Sequence, residues 1–166
     1  MYLEEFYDYK NQLMKDILTD EKTVSLIEES ISMEDAFSLA YTRVFPYEFV
    51  PETVKDGKTF VCFDVDIQRV SSKTFLTPTI KIWVFSHKTK MRLPDGGVRV
   101  DALCSSICKL INGSRFYGLG ELNIYGVKRF APMTDYQGKV MTFVAEDFNR
   151  ISPTGKPIPS NRKAGV

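Results

Sequence analysis

TFVCFDVDIQRVSSKTFLTPTIKIWVFSH, Thr59 to His87, decides the fold. Its first run alternates: Val61, Phe63, Val65 and Ile67 fall on one side, and Phe60, Cys62, Asp64 and Asp66 on the other. A period of two residues is the mark of a β-strand. "SSKT" makes a turn. The run from Thr79 alternates again, with Ile80, Ile82 and Val84 against Lys81, Trp83, Phe85 and His87. In both runs the first side is apolar and the second is mixed. The sheet is therefore expected to meet helices on one face and to be partly covered on the other.

Downstream, "KTKMRLPDGG" is a loop closed by strong breakers. "VRVDALCSSICKLINGS" is the clearest helix, with Val100, Leu103, Cys104, Ile107, Leu110 and Ile111 on one stripe and Asn112-Gly113 as its stop. "ELNIYGVKRF" and "KVMTFVAEDF" read as strands, joined antiparallel through "APMTDYQG". Upstream, Leu3 to Leu18 has helical spacing, and "LTDEKTVSLIEES" holds a second short helix capped by Thr19 or Asp20. Ala36 to Tyr41 is ambiguous. Pro46 and Pro51 make "RVFPYEFVPETV" an extended connection or sheet edge, and "KDGK" is a turn. The order of helices, two strands, a helix and two strands predicts an α+β fold. We expect a mainly antiparallel four- to five-stranded sheet with helices on one face. One domain over residues 1–150 is expected. Residues 151–166, where "SPTGKPIPSNRKAGV" holds no acid, form a flexible basic tail.

Composition sets bounds on function. A chain of 166 residues is one domain's length and can bury roughly 68–70% of its unfolded surface. Twelve Phe and eight Tyr supply a core and argue against a disordered chain. A net charge of +1 argues against a general nucleic-acid binder, while leaving room for a local basic patch. The opening "MYLEEFYDYK" does not read as a secretory leader, and no apolar run approaches a membrane span. Three cysteines without a leader point to reduced thiols in a cytoplasm.

Cys104 and Cys108 sit four apart on one helix side, which suits core packing better than a metal site that lacks further ligands. His87 could serve as a base but has no evident nucleophile or orienting acid, so it reads as a surface or interface residue at a strand end. Asp64 and Asp66 share a face, as metal-holding carboxylates would, yet no further motif supports them and solvated carboxylates are the simpler reading. Gly118, Gly120 and Gly126 lack the Lys-Ser or Lys-Thr of a phosphate loop and read as turn glycines. The loop from Lys88 to Gly97 carries Lys88, Lys90 and Arg92 against Asp95, with Met91 and Leu93 exposed between them. It suits a solvated loop, a contact surface or the wall of a DNA channel. Lys88, Lys90, Met91 and Arg92 are the interface or channel candidates. No catalytic, cofactor or metal residue is assigned.

The element order then carries a resemblance. A leading helix pair is followed by "YTRVFPYEFVPETV", the strands "TFVCFDVDI" and "IKIWVFSH", the helix in "GGVRVDALCSSICKLINGS" and two closing strands ending in "DFN". From Met1 to Asn149 this resembles small neck and tail proteins of tailed bacteriophages, above all the tail terminators (tail-completion proteins). The resemblance implies an α/β fold with a sheet flanked by helices and no enzymatic activity. It implies a homo-hexameric ring on the tail tube that ends tube polymerisation and meets head-completion proteins. Genomic DNA would pass its lumen without sequence specificity. The protein would reside in the virion neck after assembly in the host cytoplasm, with no membrane involved. A head-completion or adaptor protein on the portal side is the alternative. A metal-dependent nucleic-acid enzyme using Asp64 and Asp66 is the more distant one.

Overall fold

The computed structural model describes residues 2–51, 57–70, 74–118 and 120–151. The expected turns at Lys55–Asp56 and Ser71–Lys73, and the expected tail from Ser152 onward, lie outside them. Ile151, at the start of that tail, packs half-buried against the core.

The chain adopts the expected α+β fold. Helix α1 spans Glu5–Thr19, α2 Glu21–Ile27 and α3 Arg99–Ile111. The strands are β1 Val44–Phe45, β2 Thr59–Val70, β3 Phe75–His87, β4 Asn123–Met133, β5 Tyr136–Val144 and β6 Asp147–Phe148. The sheet runs β1-β2-β3-β5-β4, with β6 pairing the start of β3. All pairs are antiparallel except β1 with β2. Two-residue strands at β1 and β6 bring the sheet to six.

The two faces of the sheet bury different things. Val61, Phe63 and Val65 of β2 and Ile80, Ile82 and Val84 of β3 join Leu13, Ile17 and Leu18 of α1 and Leu103, Ile107 and Ile111 of α3 in the main core. The opposite face holds an aromatic cluster of Phe45, Phe60, Cys62, Phe85 and Tyr136, edged by Phe49, Trp83, Phe130 and Met133. No helix residue belongs to that second cluster. The alternation read from Thr59–His87 therefore divides the residues as expected, but the second face is better covered near the β1 end than its polar members suggest.

Local chemistry explains the helix boundaries. The Asp20 carboxylate caps α2, accepting from the Thr23 amide at 2.8 Å and its hydroxyl at 2.6 Å. It also accepts from the Ser106 hydroxyl of α3 at 3.3 Å, so one carboxylate stitches two helices. Gly113, at φ +83, follows α3 as the expected stop. The ambiguous Ala36 to Tyr41 segment lies mostly within a 3-10 turn, Met33–Leu39, capped by Ser32.

"APMTDYQG" is mostly strand: β4 and β5 continue to Met133↔Tyr136, and only Thr134-Asp135 turns. Pro132 is tolerated because β4 is the edge strand, where a missing amide leaves no ladder bond unmade. Gly126 is not in a turn but inside β4, at a register shift beside Ile124. His87 is not a surface residue. It is 7% exposed, edge-on to Tyr136 at 5.2 Å between ring centroids, with Nδ1 2.7 Å from the Thr89 hydroxyl.

Candidate functional site

The loop after β3 is built by its neighbours. His87 ends the strand, and its side chain accepts from the Thr89 amide, which starts a single 3-10 turn over Lys88–Lys90. The Lys88 amide donates to the Asp135 carbonyl at 2.9 Å, and its ammonium pairs with the Asp135 carboxylate at 2.5 Å. That hydrogen bond from Lys88 holds the Asp135 carboxyl below its ordinary range. The loop is thus tied to the tip of the β4–β5 hairpin.

Arg99 fixes the other side. It opens α3 and is 3% exposed. Nε donates to the Lys90 carbonyl at 2.7 Å, Nη1 to the Leu26 carbonyl at 2.8 Å, and Nη2 to the Glu29 carboxylate. The Arg99 amide donates to the Met91 carbonyl at 2.8 Å. The hydrogen bond from Arg99 lowers the Glu29 pKa. One guanidinium therefore joins the loop, the end of α2 and the segment after it. Its planar fork suits three acceptors in fixed directions.

The four candidate residues are therefore not equivalent. Met91 and Leu93 are not exposed: both are half-buried, and Met91 packs against the main core. Lys88 is engaged with Asp135. Lys90 and Arg92 are exposed, and neither forms an ion pair among the described residues. Lys90, Arg92, Leu93 and Pro94 border a shallow hollow of about 340 Å³ beside Glu29 and Arg99. The hairpin Arg92↔Val98 projects from this base, its tip turned by Gly96 and Gly97 at φ +90 and +93.

Sequence reading missed Arg99, although a signal was there. A cation on the first residue of a helix opposes the helix dipole. Such local conflict with no local compensation marks a residue held by tertiary contacts.

The remaining candidates fall apart as sites. Asp64 and Asp66 share the outer face as expected, but Lys10 Nζ lies 2.6 Å from Asp64 and Lys81 Nζ 3.1 Å from Asp66. Among the described residues no group of three or more His, Cys, Asp or Glu gathers as metal ligands do. Cys104 is buried in the core and Cys108 packs against it half-buried. Burial pushes the Cys104 thiol up to about 11 and Cys62 up to about 12. Such thiols are poor nucleophiles.

The sheet also presents an open edge. β4 is its terminal strand. Ile124, Tyr125 and Val127 are exposed, Tyr125 to 71%, and exposed Lys128 and Arg129 follow. Arg129 reaches Gln137 at 2.9 Å. Val127 pairs with Met141, which belongs to the helix-covered core, yet Val127 itself is exposed. The strand thus projects beyond the helical layer.

The YomW family model matches residues 6–145. The chain belongs to the YomW family. This family is phage-derived, of the Bacillus phage SPBeta-like kind, and the match suggests a phage protein. The YomW match begins inside α1, ends just after β5, and takes in both the contact loop and the β4 edge. No curated protein and no solved structure matches the chain.

Proposed function

We propose that this protein is a structural component of a tailed-phage virion: a ring at the top of the tail tube that ends tube polymerisation and joins tail to head. The observation that carries this reading is the open β4 edge, with Ile124, Tyr125 and Val127 exposed on a chain of a phage-derived family. An exposed apolar edge strand invites pairing with another chain and is a liability for a protein that works alone. The resemblance of the element order to that of tail terminators supports the same reading. Its partners are further copies of itself in a hexamer, the tail tube protein and a head-completion protein, with genomic DNA crossing the lumen. It resides in the neck of the virion, after assembly in the host cytoplasm. Lys88, Lys90, Met91 and Arg92 form a contact or channel loop, in which Lys90 and Arg92 supply free charge and Met91 anchors the base. The proposal assigns the chain no catalytic, cofactor or metal site.

Size-exclusion chromatography with light scattering, followed by negative-stain microscopy, tests it. A ring, alone or on addition of tail tube protein, is the expected result. A monomer at every concentration, with tube protein present, overturns it.

A further inference from the structure

Two β-bulges converge on one hollow. β2 pairs with β3 at Ile67↔Pro78 and again at Arg69↔Thr77, which leaves Gln68 without a partner in the ladder. β4 pairs with β5 at Ile124↔Phe143 and again at Gly126↔Thr142, which leaves Tyr125 without one. A bulge re-aims its extra side chain off the regular alternation. Gln68 and Tyr125, from strands on opposite sides of the sheet, line the same hollow of about 500 Å³. Ligand sites run from about 300 to 1,000 Å³. Asp66 lines it from β2, and Thr79, Lys81 and Thr142 line it from the central strands β3 and β5, which sets it on the face turned away from α1 and α3. Gly126 keeps it open. It lines the hollow beside Thr142, and a Cβ there meets nothing within 4 Å.

The polar groups in the hollow are balanced. Lys81 Nζ donates to Asp66 Oδ2 at 3.1 Å, which leaves the second Asp66 oxygen as an acceptor among the described residues. The Thr79 hydroxyl donates to Gln68 Oε1 at 3.3 Å, so the Gln68 NH2 has no partner among them. Thr142 adds a half-buried hydroxyl, and the Tyr125 side chain, on a residue 71% exposed, adds an aromatic face that the core does not use. A phosphate or a nucleic-acid strand needs a concentration of unpaired cations. Here Asp66 neutralises Lys81, and Lys128 stands alone. An apolar ligand would strip water from these groups and leave them unsatisfied. A neutral sugar answers both conditions: each hydroxyl donates and accepts, and the C–H face of the ring lies flat on an aromatic side chain.

We infer that this hollow is a saccharide-binding site, in which Tyr125 stacks on the face of a sugar ring and Asp66, Gln68, Lys81 and Thr142 hydrogen-bond its hydroxyls. This goes beyond the ring reading and does not rest on it. A neighbouring chain would add to the outward backbone groups of the β4 edge, whereas the hollow lies on the sheet face.

The test presents the full chain to an array of neutral glycans and measures amide hydrogen exchange with and without the oligosaccharides that bind. Binding is expected, unchanged by added NaCl, with slower exchange at Asp66–Gln68 and Tyr125–Lys128. Tyr125→Ala is expected to weaken it about tenfold or more, through the lost aromatic face. Gly126→Leu, which fills the hollow from a position with room for a side chain, is expected to abolish it. Thermal unfolding checks that each variant folds, and the exchange map decides the matter for one that does not. Light scattering on the same variants reads ring formation separately. An array on which no neutral glycan binds overturns the inference and leaves the ring reading untouched. So does glycan binding that slows exchange elsewhere and is indifferent to both variants. An oligothymidine probe that protects these amides, weakens steeply with salt and outcompetes every glycan overturns it in favour of a nucleic-acid site.

Discussion

Single side chains carry more of this molecule than their positions suggest. Arg99 satisfies two backbone carbonyls from different segments and pairs with Glu29. Hydrogen bonds to a charged donor contribute about 1.5–3 kcal/mol, and orphaned buried carbonyls add their own cost. Arg99→Ala is expected to destabilise the fold by about 3 kcal/mol in urea unfolding and to raise exchange at Lys90 and Met91. Arg99→Lys should recover less than half, because an ammonium cannot reproduce the fork.

Asp20 is the acid-sensitive counterpart. Burial raises its pKa, but hydrogen bonds from Thr23 and Ser106 outweigh that and hold it below 3.8. Its stabilisation is therefore complete above that ordinary value and is lost as the pH falls through the depressed one. Asp20→Ala is expected to cost about 1–2 kcal/mol at pH 7 and to flatten the acid limb of a stability–pH curve. The thiols offer a further check. With burial raising Cys62 and Cys104, a thiol reagent at pH 8 should label Cys108 first and reach the other two only on unfolding.

At the scale of elements, Gly138 shows what holds the outer face together. It lies on β5 between Phe85 of β3 and Phe130 of β4, whose rings meet at 5.7 Å across it. A Cβ there would collide with the Val84 carbonyl and sit 2.5 Å from Phe85 Cβ. Gly138→Ala is expected to destabilise by about 3 kcal/mol by thermal or urea unfolding. An alanine at Gly126, where a Cβ meets nothing within 4 Å, should be nearly neutral.

These elements also show what a sequence reveals. β2, β3 and α3 were legible because their apolar residues repeat at a period of two or along one helical stripe. The hairpin was legible as two strands but not as a tight one, since Thr134-Asp135 lacks the usual Gly and Pro132 stands close by. The parallel pairing of β1 with β2 joins residues distant in sequence and has no local signature. For the contact loop, charge was visible in the sequence. Which charges stay free was not, because Asp135, Leu26 and Glu29 reach it through tertiary packing.

At the scale of the whole molecule, stability and assembly separate. Lys90 and Arg92 are exposed and form no ion pair among the described residues, so replacing both with Ala should change stability by less than about 0.5 kcal/mol. If the loop is a contact surface, the same double variant weakens ring formation or binding to tube protein in light scattering and pull-down. An unchanged assembly would remove the loop from the interface and leave the β4 edge as its remaining candidate.

The central position of β3 has a temporal consequence. Its partners are β2, just before it, and β5 and β6, about fifty or more residues later. Chains dominated by such distant pairings fold slowly, in milliseconds to seconds. During synthesis the wait is longer. α1 emerges long before β5 exists, and at about 5–20 residues per second that interval is on the order of ten seconds. Throughout it, the apolar side of α1 and both faces of the β2–β3 ribbon have no closing strand. A newborn chain is therefore most exposed to association with other nascent chains just before its last hairpin is made.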